Sequence, residues 1–370
     1  METVEKNRSS QMDFALFAAI LLLCAFGLVM VFSSSYYYAQ SKFSDGLYYL
    51  RSQSTFLAAG VIALLVISRI DYHLWDHLRL PFLVATMVMM AAVVVWGVER
   101  NGAKRWLDIF GIVSFQPSEL AKFALVLYMS AFMARFPERM KSFVNGTVPM
   151  LVIVGIMCLL VLLQKNMSMM VIVLFTGILM LYVGGVPMKH LLLMGVCAVP
   201  ILFLVAYMEE YRMMRLKIFM DPWQDELGAG YQLIQSLYAF GSGGLFGQGL
   251  NFSRQKLLFL TYGESDFIFA IIGEELGLIG CAAVILAYAF ITYRGIMIAL
   301  KCKDRFGSLL AAGITSVIAM QAAVNIGVAT SSIPTTGQTL PFVSAGGTSL
   351  FIFLCASGIL LNISKNMEET

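Results

Sequence analysis

Ten stretches of the chain are almost wholly apolar, and polar segments separate them: 14–32, 54–68, 80–98, 118–134, 148–163, 167–186, 191–207, 267–293, 308–329 and 347–363. Each is long enough, or nearly so, to cross a hydrocarbon core as a helix, which takes about 20 residues and leaves no backbone group unbonded in lipid. The shortest, 54–68, extends through Tyr48, Tyr49 and Leu50. The pattern predicts an all-α, polytopic membrane protein of about ten spans. It reads as one membrane-embedded domain over 1–370, with a long loop at 208–266 between spans seven and eight. The first run ends in Ser33-Ser34-Ser35 without a small-x-small cleavage site, so it reads as a span and not a cleaved signal. No internal repeat stands out, which argues against the common transporter plans.

Composition agrees with the pattern. Charged residues make up 13% of the chain, about half the share of a typical soluble domain, which excludes a soluble enzyme. The net charge of +3 comes without a basic run, so no nucleic-acid partner is expected. Five of the six cysteines sit inside apolar runs and none forms a CxxC pair, so they read as packing residues; no metal-ligand cluster is expected. His73, His77 and His190 read as isolated interfacial residues.

Lysine and arginine give the orientation. With a cytoplasmic N-terminus, the inner segments carry thirteen: Lys6, Arg8, Arg69, Arg79, Arg135, Arg139, Lys141, Lys189, Arg294, Lys301, Lys303, Arg305 and Lys365. The short outer loops carry six, and 208–266 carries five more, which count weakly in so long a loop. Both termini are therefore expected in the cytoplasm of a bacterial inner membrane, and 99–117 and 208–266 outside it.

Charges within spans mark the candidate chemistry. In Gln116-Pro-Ser-Glu119-Leu-Ala-Lys122, the glutamate and lysine share one helical face. They form either a structural ion pair or part of a substrate-facing cavity. Asp266 opens the eighth span and is either its N-cap or a functional carboxylate. Glu274 and Glu275 lie about 12 Å deeper by helical rise, where one is expected to bond a neighbouring helix. Arg212, Arg215, Lys217, Arg254 and Lys256 put positive charge on the outer loop. They make either a solvated face or a hold for a phosphate or diphosphate. Gly241-Ser-Gly-Gly-Leu-Phe-Gly247-Gln-Gly249 lacks the Lys-Ser/Thr of a P-loop and reads as a bent or re-entrant element. Pro334 through Gly347 breaks regular helix before the last span, as a simple loop or as the lining of a wet cavity.

Together these segments resemble the SEDS family (shape, elongation, division and sporulation) along nearly the whole chain. The resemblance rests on Lys104-Arg105-Trp106, Gln116 through Lys122, Phe219-Met-Asp-Pro-Trp223, Gly230-Tyr-Gln-Leu-Ile-Gln-Ser236, Gly241 through Gly247, Asp266-Phe-Ile-Phe-Ala, Gly273-Glu-Glu-Leu-Gly277 and Asn325 through Ser349. Gly249 through Lys256 looks more like the FtsW and SpoVE branch than the RodA branch. Three places depart from the family pattern: Thr261-Tyr262, Lys165-Asn166-Met167-Ser168, and Ser344-Ala345-Gly346-Gly347.

The resemblance implies a peptidoglycan glycosyltransferase that polymerises lipid II in division or sporulation. Its essential aspartate falls on Asp266, and its substrate-binding groups fall on Arg105, Glu119, Lys122, Arg212 and Arg215, with Lys256 and Ser344 also expected at the substrate. A divalent cation, magnesium or manganese, is an expected helper. A class B penicillin-binding protein is an expected partner, with other divisome or sporulation proteins, because the chain has no crosslinking motif such as Ser-x-x-Lys with Lys-Thr-Gly. A flippase or transporter of the lipid-linked precursor, or a non-catalytic division scaffold, would explain the buried charges without needing a base at Asp266.

Overall fold

The computed structural model describes residues 11–100, 102–109 and 113–367; Lys6 and Arg8, counted above for the inner side, lie outside them. Long helices occupy the ten predicted places: α1 Phe14–Phe43, α2 Tyr48–Ile67, α3 His73–Trp96, α4 Pro117–Arg135, α5 Val148–Leu163, α6 Met167–Val183, α7 Met188–Tyr207, then α10 Ile268–Lys301, α11 Arg305–Ala329 and α12 Gly347–Ile363. Among the described residues eight helices are long and apolar enough to cross a membrane, α5 when taken from Phe143 and α12 when taken to Asn366; α6, at 17 residues, and α4, which carries internal charges, are not among them.

Two differences from the sequence pattern matter for the site. First, α1 continues a further turn and more past its serine triplet, because Ser33, Ser34 and Ser35 are buried against other helices and do not end the span in water. Second, the outer segments are folded. Three strands form a small antiparallel sheet in the order β1 Val98–Arg100, β2 Ala103–Ile109, β3 Val113–Phe115. The loop 208–266 contains α8 Glu210–Met220 and α9 Tyr231–Gly243. The Ser236 hydroxyl of α9 donates to the Ala329 carbonyl at the end of α11, 2.6 Å away, so α9 is anchored to the bundle.

The described ends of the chain share one face. Arg294 pairs with Asp13 at 2.7 Å, the Asp13 N–H donates to Ser364 Oγ, and Cys302 bridges Met367. The α2–α3 turn joins them there: Asn362 donates to the Ser68 carbonyl, and Tyr72 donates to Asp304. His73 is not isolated as expected, since its Nδ1 lies 2.7 Å from Asp71. The opposite face carries the sheet, α8, α9 and the start of α10. Between them α12 is the centre, with 72% of its apolar window buried, whereas α7 buries 12% and lies at the lipid-facing edge.

Helix α10 is two helices joined at Gly277, whose φ of 65° and ψ of −162° break the hydrogen-bond ladder. The glycine-rich turn 244–249 fills the break. Gln248 and Gly249 donate to the carbonyls of Glu274 and Glu275, and Leu278 and Ile279 donate to those of Gly244 and Leu245. Glycine is required at this crossing: a Cβ on Gly247 would lie 2.1 Å from the Glu275 carbonyl oxygen, and Gly247 itself sits at φ 80°. The bent element expected from the glycine spacing is this inserted turn.

Candidate active site at the mouth of α10

Asp266 lies two residues before α10, in the turn that leads into it. It is not the cap of that helix. Phe267 holds the N-cap position, and no side chain caps α10. What holds Asp266 is its backbone. The Ala345 N–H donates to the Glu264 carbonyl at 2.9 Å, the Ser344 hydroxyl to the Ser265 carbonyl at 2.6 Å, and Asn325 Nδ2 to the Asp266 carbonyl at 2.9 Å. Three consecutive carbonyls are thereby tied to the 330–346 loop and to α11. Asn325 also donates to the Gln338 carbonyl, and Gln53 of α2 donates to the Ser344 carbonyl, so the clamp is itself clamped. The turn is strained as well as tied. Tyr262 has φ 60°, and its carbonyl accepts the N–H groups of Ser265 and Asp266.

Asp266 as a whole is half-buried in this scaffold. A Cβ placed on Gly337 would stand 3.5 Å from Asp266 Oδ2, so the backbone of the 334–341 loop passes beside the carboxylate with room left by the absent side chain. Burial pushes the Asp266 carboxyl up to about 6, helped by the neighbouring Glu264 charge; a bond from Ser265 and the guanidiniums of Arg215 and Arg105 pull the other way. Glu264, buried beside it, is likewise raised by desolvation. A carboxylate poised near neutrality in a polar mouth is what a general base requires.

The other candidates fall into two groups. Arg105 and Arg215 both act on Asp266 through their charge. Arg105 comes from β2 and donates to the Lys165 carbonyl at 2.6 Å, while Arg215 comes from α8 and donates to the Thr335 carbonyl at 2.8 Å. Arg212, on the same helix, turns back to the Val205 carbonyl at the end of α7. One helical turn therefore does not aim the two arginines alike.

The second group is buried. Lys122 is fully enclosed, pairs with Glu119 at 2.9 Å and bonds Gln321, which in turn donates to the Thr339 carbonyl. Ser349 donates to the same Glu119 carboxylate. This network ties α4, α11 and α12 to the underside of the 334–346 loop. Lys256 pairs with Glu275 at 2.8 Å, and Ser33 Oγ and Asn251 Oδ1 accept from it too. The expectation that Glu119, Lys122 and Lys256 face substrate is therefore not how they are placed: all three are buried in pairs. Ser344 is spent on the backbone of the Asp266 turn.

Neither Asn325 nor Gln53 stands out in the sequence as a site residue. Asn325 lies inside the apolar run 308–329, where a buried amide is a signal, whereas Gln53 sits in the polar stretch 51–55 and carries none. The three departures from the family pattern also find structural work. Tyr262 makes the strained turn. Lys165, at φ 54°, offers its carbonyl to Arg105, while Asn166 caps α6 by accepting from Met169 N at 3.2 Å. Ala345 contributes only its N–H, which any residue but proline supplies.

Among the described residues no group of three His, Cys, Asp or Glu could hold a metal ion. The oxygens around Asp266 nevertheless suit a hard cation. Asn325 Oδ1, Thr336 Oγ1 and Gln338 Oε1 are buried with no hydrogen-bond partner, and Asn325 Nδ2 joins the Asp266 and Gln338 carbonyls. Magnesium in particular is held by one or two carboxylates together with substrate phosphates.

Comparison with known proteins decides the family. The model of the cell cycle protein family FTSW_RODA_SPOVE matches residues 14–369. The chain belongs to this FtsW/RodA/SpoVE family. Among similar members, the probable peptidoglycan glycosyltransferase FtsW of Geobacter sp. (strain M18) is 40% identical over 355 residues, 95% of this chain and 96% of that one. The stage V sporulation protein E of Bacillus subtilis (strain 168) is 39% identical over 361 residues, 97% and 98% of the two chains. A chain of a solved structure described as structural coordination of polymerization and crosslinking by a peptidoglycan synthase complex superposes with a TM-score of 0.78 at 29% identity, covering 95% of this chain and 97% of that one. The rod shape determining protein RodA of Thermus thermophilus gives 0.70 at 25% identity, with 97% and 98% covered. The resemblance read from the motifs is thus borne out, as is an all-α, multi-pass membrane protein.

Proposed function

We propose that this member of the FtsW/RodA/SpoVE family is a peptidoglycan glycosyltransferase that polymerises lipid II, with Asp266 as its general base. The observation that carries the assignment is the treatment of Asp266: its turn is clamped through three carbonyls while its carboxylate caps nothing and feels the charges of Arg105 and Arg215. In the reaction the ionised carboxylate takes the proton of the acceptor sugar's hydroxyl. The freed oxygen bonds to the anomeric carbon of the donor as that carbon's bond to the lipid diphosphate breaks. The diphosphate leaves as an anion near the Arg215 and Arg105 charges, and Asp266 gives its proton to water. General base assistance of this kind is worth roughly 100- to 10,000-fold.

A divalent cation would be held by Asp266 or Glu264 with the amide oxygens of Asn325 and Gln338, and when bound it would supply charge stabilisation to the departing diphosphate. Arg212 holds α8 against α7 and so presents Arg215. Glu119, Lys122 and Lys256 act by position: the first pair supports the 334–346 loop from below, and Lys256 secures the glycine turn to α10. The face bearing Asp266 is external and both termini are cytoplasmic, in a bacterial inner membrane, as the lysine and arginine bias favours. A class B penicillin-binding protein is the proposed partner for crosslinking, alongside other proteins of division or sporulation.

Polymerisation of purified lipid II in detergent tests the activity, because no transport is possible there. Absence of glycan product from an otherwise folded preparation, with its transpeptidase present, would return the reading to a flippase or a scaffold. Labelling from outside at Ser253→Cys without labelling at Ser308→Cys tests the orientation.

A further inference from the structure

On the face that carries the termini, opposite Asp266, a cavity of about 260 Å³ opens between α3 and α4. Its walls are apolar and aromatic: Leu80, Tyr128, Phe132 and Phe136, with Arg79 and Arg135 among its lining. The Tyr128 and Phe132 rings stack, and Phe136 packs on Phe132 with centroids 5.3 Å apart. Asp76 lies in the first turn of α3 and Arg135 in the last turn of α4, so the charged rim sits at the helix ends, where lipid headgroups lie. Below it, Leu80, Val84 and Val88 of α3 are all exposed at four-residue spacing and form one lipid-facing stripe running from the arginines toward the membrane centre.

We infer that this cavity binds an anionic phospholipid, with the headgroup phosphate on Arg79 and Arg135 and an acyl chain along the α3 stripe. Charge complementarity supports this occupant. Asp76 stands against two guanidiniums: Arg79 Nη1 donates to its Oδ1 at 2.5 Å, and Arg135 Nη2 stands 3.5 Å from its Oδ2 while that side chain remains 53% exposed. One negative charge against two leaves a net positive rim. Each guanidinium carries five donors, and the contacts to Asp76 come from one nitrogen of each, which leaves donors for a phosphate. Arg135 also sits where the α4 dipole favours a cation. A free phosphate would meet the same charges but would leave the aromatic wall and the α3 stripe unused. Basic pockets between membrane helices are known to hold anionic headgroups in this manner.

The test uses the full chain reconstituted with equal parts phosphatidylglycerol and phosphatidylcholine, then extracted in mild detergent, with retained lipid measured by native mass spectrometry. Phosphatidylglycerol should be retained over phosphatidylcholine, with about fivefold of preference per arginine. The Arg79→Gln/Arg135→Gln double variant should lose that preference. Asp76→Asn, which keeps both arginines and removes the competing charge, should increase it. Equal retention of the two lipids, or an unchanged preference in the double variant, overturns the proposal. So does displacement of the lipid by soluble glycerophosphate at matching concentration, which would make the site one for phosphate alone. If the double variant does not fold, Asp76→Asn decides: a rise supports the lipid site, and no change overturns it.

Discussion

Asp266 and the glutamate pair at 274–275 lie on or just before one helix, some two turns apart, and the protein treats them in opposite ways. Glu274 accepts from the Arg254 and Gln255 N–H groups at 3.0 and 3.2 Å and from the hydroxyls of Ser253 and Ser242. Glu275 is met by Ser33 at 2.7 Å and by the Lys256 ammonium at 2.8 Å. Both carboxylates are consumed in joining the glycine turn and α1 to the break in α10. At Asp266 most donors go to the backbone, and the carboxylate is left with its burial, one bond from Ser265 and the charges of two arginines. A carboxylate saturated with donors holds a structure together; one whose frame is saturated while its own oxygens are only lightly bonded is available to move a proton.

Exchanging the carboxylates is the sharpest way to break that comparison. Asp266→Asn keeps the shape but cannot usefully accept a proton, so polymerisation should fall about 100-fold or more. Melting should hold or rise slightly, because burial disfavours the ionised form: a carboxyl raised in the fold above its unfolded value costs stability once pH exceeds that unfolded value, and the amide removes the cost. Near-normal synthesis by purified Asp266→Asn would falsify the assignment.

Glu275→Ala should do the reverse. It strands the Lys256 ammonium in the interior, for a loss of about 3–5 kcal/mol, read as poor expression and a lowered melting point. Replacing the pair together, Glu275→Leu with Lys256→Met, should recover most of that stability. If Glu275→Ala melts like the parent and loses only synthesis, the division into structural and reactive carboxylates fails.

Asn325→Ala sharpens the comparison from the side of the frame. It removes the donors to the Asp266 and Gln338 carbonyls, and about 1–3 kcal/mol of positioning corresponds to roughly a 30-fold loss at its middle. The loss should fall on kcat more than on KM. A change confined to KM would place Asn325 at the substrate instead.

The smallest effect expected is on pH dependence. The base must be ionised, so synthesis should rise as pH increases through about 6 and level off above it. Arg215 holds the Asp266 carboxyl down; Arg215→Gln should therefore move the acid limb to higher pH, in addition to slowing the reaction at its plateau. A limb that stayed in place would mean that another group sets it.

The sequence by itself determined the positions of the ten long helices, because apolar runs of membrane length have no other stable arrangement in lipid. It also marked Asp266, and the motifs around it carried the family. It did not determine which charges would be buried. Glu119 with Lys122 reads equally as an ion pair or as a cavity wall, and only the approach of Gln321 and Ser349 from α11 and α12 decided for the pair. Lys256 lies in a loop that reads as solvated, yet the break at Gly277 draws that loop against α10, and the lysine is enclosed with Glu275. Asp266 is equally a capping residue by type. That it caps nothing follows from a turn tied by Ser344, Ala345 and Asn325, residues some 60 to 80 positions away in the chain. Local spacing governs which segments become helices and which faces are apolar. Which polar groups meet across 60 or more residues depends on how the helices pack, and that is where the carboxylate that joins helices was separated from the one left free to react.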